Sequence, residues 1–138
     1  MLAKLLIASV LLALCVVIHA GGVTWAFRQV RRLEAPGQRM LVEIRLFIVV
    51  AAWIVFLHVT EISMWALVYA GGGAIAGLQT AAYFSAVTYT TTGYGDVLLP
   101  DEWRIVGAIE ALTGILMCGW STGFFFAVVS RMYADRPA

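Results

Sequence analysis

Three apolar runs, residues 5–25, 46–70 and 103–129, constrain this chain more than any other feature. A helix that spans a bilayer needs about 20 predominantly apolar residues, and each run meets that length. The first is interrupted only by Ser9, His19 and Thr24. An ordinary soluble domain is excluded: 62% of the 138 residues are hydrophobic, only 12% are charged, and the mean hydropathy is +0.92. The expected class is an all-α membrane protein, folded as a single membrane domain over residues 1–138. A net charge of +1 offers little to a polyanion and argues against nucleic acid as a partner. Cys15 and Cys118 both lie inside apolar segments without metal-site or disulfide spacing, so both are expected as small core residues.

The membrane imposes a second constraint. Hydrocarbon offers backbone N–H and C=O groups no partner, so a chain crossing it must be helical unless it is buried in protein or lines water. Between the second and third runs, residues 78–90 are apolar, yet as a helix they would rise only about 20 Å. The hydrocarbon core is roughly 30 Å thick, so this stretch is expected to be a re-entrant half helix. Directly after it comes Thr91-Thr92-Gly93-Tyr94-Gly95-Asp96, a run whose two glycines admit positive φ. Such glycines would let carbonyls face one axis, and irregular backbone at that depth must be buried in protein or line a watery path.

This hexad resembles the selectivity filter of potassium channels, which the family writes Thr-x-Gly-Tyr-Gly-Asp, and the resemblance extends over residues 80–131. It departs at Thr92, where the family commonly has Val. The resemblance implies a homotetramer in which four loops converge and rings of backbone carbonyls replace the hydration shell of potassium. Thr91 would supply its hydroxyl and carbonyl at the inner end, while Thr92, Gly93 and Tyr94 would supply the carbonyl rings that bind the ion. Gly95 would let the strand turn outward, and Asp96 would stand behind the mouth. Three transmembrane helices, a pore helix at 78–90 and a filter at 91–96 would then surround a central pore, with residues 103–129 lining its inner cavity. The implied function is passive potassium conduction without a cofactor, and the partners are potassium ions, the lipid bilayer and further copies of the chain. Two alternatives stand beside it: a weakly selective cation channel, and a non-conducting membrane scaffold or regulatory subunit.

Charge orients the chain. Arg28, Arg31, Arg32, Arg39 and Arg45 lie between the first two runs, against a lone Lys4 before the first. The positive-inside rule makes that loop cytoplasmic, with the N-terminus outside and the C-terminus, after Arg131, inside. The first run reads as a retained span rather than a cleaved signal, because Ile18 occupies a position where cleavage wants a small residue. Brief loops look similar to those of compact bacterial channels, so a bacterial inner membrane is expected. Asp96, Asp101 and Glu102, set against Arg104, leave the outer mouth net acidic.

The remaining polar residues carry narrower expectations. His58 and Glu61 are three apart and share a helical face, as a hydrogen-bonded pair or as an intramembrane acid and base. His19 is expected to bond between helices. Glu110, the only carboxylate inside the last run, is expected to face protein and brace the filter, either sharing a proton with Asp96 or accepting from Thr88 or Tyr89, with snorkelling to the outer headgroups or pairing with Arg104 as the other reading. Gly114 lies near a hinge glycine of the resembled family. Phe124, Phe125 and Phe126 are candidates for an inner constriction that gates by dewetting, with simple packing as the other reading. Gly119-Trp120-Ser121-Thr122-Gly123 spells the nucleophile elbow of hydrolases, but that device needs a preceding strand and a later histidine, and the last histidine here is His58. No catalytic residue is expected; the segment reads instead as a Gly-x-x-x-Gly helix contact, weakly repeated at Gly73 and Gly77.

Overall fold

The computed structural model describes residues 2–33 and 40–134. Arg39, part of the expected basic loop, lies outside the described residues. The elements are α1 (Leu2–Leu33), α2 (Met40–Gly71), α3 (Leu78–Tyr89), a 3-10 turn (Asp101–Trp103) and α4 (Arg104–Ala134). Segments of three helices, Leu2–Val30, Leu41–Gly71 and Asp101–Arg131 with its leading turn, are long and apolar enough to cross a membrane. No strand occurs among the described residues. The protein is an all-α membrane protein.

The connection from α2 to α3 is a glycine turn. Gly72 and Ala74 donate their N–H groups to the Val68 and Tyr69 carbonyls at 2.8 and 2.9 Å, which closes α2. Gly73 and Gly77 hold φ of 70° and 85°, a region that side chains disfavour. Their spacing therefore serves this turn and not the helix contact expected of it. With 12 residues, α3 rises only about 18 Å, too little to cross a bilayer's hydrocarbon core. It packs against α2 and α4, while α1 lies along α4 and α2.

The helices enclose two apolar clusters. The upper one contains Leu11, Cys15, Trp65, Tyr69, Tyr89, Trp103, Val106 and Met117. Val23, Val30, Val50, Leu57, Phe124 and Val128 make the lower one. Between these clusters along α1, α2 and α4 lie His19, Glu61 and Ser121, all buried. The buried positions on α4, among them Val106, Glu110, Thr113, Met117, Ser121, Phe124 and Val128, recur three or four residues apart, as one helical face requires. Cys118 falls about 100° off that stripe and is exposed, so only Cys15 is the core cysteine that both were expected to be.

Hydroxyls on the outward faces are satisfied within their own helices. Ser9, Thr60, Ser63 and Thr122 each donate to the carbonyl four residues back, at 2.7–2.9 Å. That local bond is what lets a hydroxyl face lipid. At the upper end, Lys4 reaches Glu102 at 3.6 Å and lies 4.6 Å over the Trp103 ring. The start of α1 is thereby fastened to the loop that carries the acidic residues.

Candidate functional site

The irregular segment at residues 91–96 follows Thr90, the C-cap of α3, and its conformation alternates. Thr91, Gly93 and Gly95 have φ of 59°, 57° and 78°, while Thr92 and Tyr94 keep negative φ. In an ordinary extended strand successive carbonyls point to opposite sides. Alternating left-handed residues with right-handed ones cancels that reversal, so consecutive carbonyls can share one side. Thr91 accepts a left-handed conformation that a β-branched residue normally avoids, a cost of order 1–3 kcal/mol that the surroundings must offset.

The end of α3 supplies some of that restraint. The N–H groups of Thr90, Thr91 and Thr92 are taken by the carbonyls of Ala86, Thr88 and Val87 at 3.1, 2.9 and 2.9 Å, and Gly93 shares the Val87 carbonyl at 3.2 Å. The N–H groups of residues 90–93 are thus turned to the helix end and away from the exposed side of the segment. Thr90 Oγ1 donates to the Ala86 carbonyl at 2.7 Å and lies 2.9 Å from Thr92 Oγ1. The hydroxyl that distinguishes Thr92 from Val thus has a partner. Residues 90–96 are exposed in the single chain, Tyr94 by 72%.

Asp96 receives the Tyr83 hydroxyl at 2.8 Å. The adjacent carboxylate holds the Tyr83 phenol above its ordinary ionisation range. Asp96 does not meet Glu110. The latter is fully buried and accepts from Tyr69 at 2.7 Å, with Ser85 Oγ at 2.5 Å from its other oxygen. The expected partners Asp96, Thr88 and Tyr89 are replaced because α4 crosses α3 at the level of Ser85, one turn before the helix end. Ser85 Oγ also lies 2.8 Å from the Ile62 carbonyl, and its single proton cannot serve both acceptors. The count closes when Glu110 carries a proton to Ser85 and Ser85 passes its own to Ile62.

Gly114 lies one turn further along α4, where that helix meets the last residue of α3. A Cβ built there would fall on the Tyr89 carbonyl oxygen. Helix α4 runs unbroken through this position, so close approach explains the glycine here. Of the three phenylalanines, Phe124 packs against Phe27 and Phe125 against Phe47, with ring centroids 6.2 and 5.9 Å apart. Only Phe126, 70% exposed, is left facing outward.

A family model described as "Ion channel" matches residues 43–131, which take in nearly all of α2, all of α3, the irregular strand and α4 through Arg131. The chain belongs to the ion channel family. No curated protein and no solved structure matches it. In this channel α1 lies outside the matched region, yet it contributes to the buried polar layer. His19 Nδ1 is 2.9 Å from Glu61 Oε1, across helices and 42 residues apart. His58 is 3.7 Å from Glu61 and 3.1 Å from the Tyr89 hydroxyl, which also donates to Glu61.

Sequence reasoning missed Ser121 and Tyr89 as members of this layer. Ser121 Oγ is 3.0 Å from His19 Nε2 and 3.1 Å from His58 Nε2. The Ser121–His19–Glu61 order imitates a hydrolase triad, although the histidines precede the serine in the chain. Ser121 sits inside an unbroken helix, where the surrounding N–H groups are committed to helical bonds and none is offered to an oxyanion. The only signal for the layer was the presence of polar side chains in otherwise apolar spans.

Proposed function

We propose that this channel conducts potassium selectively as a homotetramer, with the carbonyls of Thr91, Thr92, Gly93 and Tyr94 as the ion sites and Gly95 as the outward turn. The alternation of left-handed residues at Thr91, Gly93 and Gly95 carries the reading, because it lets one strand aim successive carbonyls the same way. One strand cannot surround an ion. Four, related by an axis beside the exposed strand, replace a hydration shell with carbonyl rings and let neighbouring ions repel one another onward. The C-terminal end of α3, with about half a negative charge of macrodipole, points into the membrane below the filter and favours a cation there.

In this reading the N-terminus, Lys4 and the Asp101–Glu102 loop face outward, and Arg28, Arg45 and Arg131 face the cytoplasm of a bacterial inner membrane. The mouth is acidic but less so than the sequence implied. Arg104 pairs with Asp101 at 2.8 Å and Lys4 joins Glu102, so three acids, counting Asp96, stand against two bases. Asp96 and Glu110 hold the filter from behind through α3. Phe126 is the aromatic placed to narrow the inner end, and Gly114 is the position about which α4 would bend.

Purified protein in liposomes tests the reading. A potassium gradient should drive flux, with valinomycin setting the maximum, and a sodium gradient should not. Equal sodium and potassium flux would replace this function with weakly selective cation conduction. Absence of both fluxes would make the chain a non-conducting scaffold.

A further inference from the structure

The buried polar layer contains a group of atoms that conduction does not use. His19 Nδ1 lies 2.9 Å from Glu61 Oε1; His58 Nδ1 lies 3.1 Å from the Tyr89 hydroxyl and 3.7 Å from Glu61 Oε2. Tyr89 also contacts Glu61 Oε2. The imidazole and carboxylate ligand atoms all lie within 4.8 Å of one another. On the far side of both rings stands Ser121, 3.0 Å from His19 Nε2 and 3.1 Å from His58 Nε2.

Counting protons shows what this ring lacks. Glu61, His19, Ser121, His58 and Tyr89 close a circle of five contacts. An ionised carboxylate brings no proton, while two neutral imidazoles, a phenol and a serine bring one each. At least one contact therefore sets lone pair against lone pair in a buried site, unless a further proton or a metal ion enters the circle.

The placement of Ser121 favours a metal ion for that charge. A ligating histidine characteristically gives its second ring N–H to a nearby acceptor, which fixes the tautomer. Ser121 Oγ has two lone pairs and meets both Nε2 atoms. Both Nδ1 lone pairs then converge with the Glu61 carboxylate and the Tyr89 oxygen. A tetrahedral ion with bonds of about 2.0–2.1 Å to nitrogen and oxygen sets its ligand atoms roughly 3.3 Å apart. The observed 2.9, 3.1 and 3.7 Å bracket that spacing, whereas Tyr89 and Glu61 Oε2 lie closer together and have to part as the ion enters between them. Two imidazoles disfavour the hard ions magnesium and calcium, and the tetrahedral N/O set suits zinc. A divalent ion with the Glu61 carboxylate and an ionised Tyr89 is neutral overall, as burial within a membrane requires.

We propose that His19, His58, Glu61 and Tyr89 form a zinc site, oriented by Ser121, that ties α1 and α2 to the last residue of α3 beside the filter. Protein without a polyhistidine tag, expressed in zinc-supplemented medium and dialysed in detergent, should retain about one zinc per chain by elemental analysis. Cobalt in its place should show the visible bands of four-coordinate cobalt. Ser121→Ala, which keeps all four ligands, should weaken the metal by about 10–100-fold. His58→Gln should lose the stoichiometric ion while keeping its helical circular dichroism. Zinc no higher than the dialysis background in the wild-type protein would overturn the site, as would equal retention by wild type and a folded His58→Gln.

Discussion

Gly114→Ala adds one carbon where α4 has no room for it. A carbon cannot approach a carbonyl oxygen much closer than about 3.3 Å, and the obstacle here is the Tyr89 backbone, which has no rotamer to give. Helix α4 must retreat from α3, loosening contacts around buried Met117, Thr113 and Tyr89. Overpacking of this kind costs about 1–3 kcal/mol, with the upper part expected where only backbone can yield. Alanine returns about 1 kcal/mol of helix propensity, so the net loss should be about 1–2 kcal/mol. Gly119 and Gly123, on the same helix with nothing within 4 Å of a built Cβ, provide the internal control. Denaturation in detergent should show Gly114→Ala destabilised and Gly119→Ala neutral or slightly stabilised. Potassium flux should fall with Gly114→Ala because Tyr89 lies two residues before the filter. Wild-type stability and flux in Gly114→Ala, or equal destabilisation by the two substitutions, would refute the close approach.

Gly93→Ala places a Cβ on a residue at φ 57° and should abolish potassium flux while the protein still inserts and assembles, checked by flux and by cross-linking. Glu110→Gln retains an N–H for Ser85 and an oxygen for Tyr69, so it should keep wild-type flux, whereas Glu110→Ala leaves the buried Tyr69 hydroxyl without its acceptor, while Ser85 keeps the Ile62 carbonyl, and should cost about 1–3 kcal/mol in detergent stability. Tyr83→Phe removes the hydroxyl from Asp96 on an exposed surface and should alter flux mildly without lowering stability measurably. With Cys15 and Cys118 replaced, cysteines introduced at Gln29 and Asp101 should react with impermeant reagent from opposite sides of the membrane, Asp101 from outside.

Much of the fold was legible because lipid allows few alternatives. Apolar length identified the spans, and the shortness of residues 78–90 set them apart as a helix too short to be a fourth span. The flanking glycines located the irregular strand. Side-chain pairing was less legible, since it depends on rotation and depth of each helix about its axis. Glu110 was rightly expected to face protein, but a register one turn different gave it Ser85 and Tyr69 in place of Asp96. His19 and Ser121 are 102 residues apart, and no periodicity within one helix could join them. Gly73 and Gly77 misled for a related reason: a spacing of four suits a helix contact, and only the backbone angles distinguish it from a turn.

The polar layer also bears on how the chain is made. During insertion α1 reaches the bilayer before α2, carrying His19 with no oxygen at its own level to meet it. An unpartnered polar group in hydrocarbon is costly, so α1 is poorly settled until Glu61 arrives beside it. The first two helices are thus completed as a hairpin, and sliding one past the other by a turn, about 5.4 Å, would break the match. His58 and the Glu61 oxygen that Tyr89 shares then await α3, and Ser121 comes last on α4. Because its contacts join residues on different helices at one depth, the layer limits how far each helix can slide past the others.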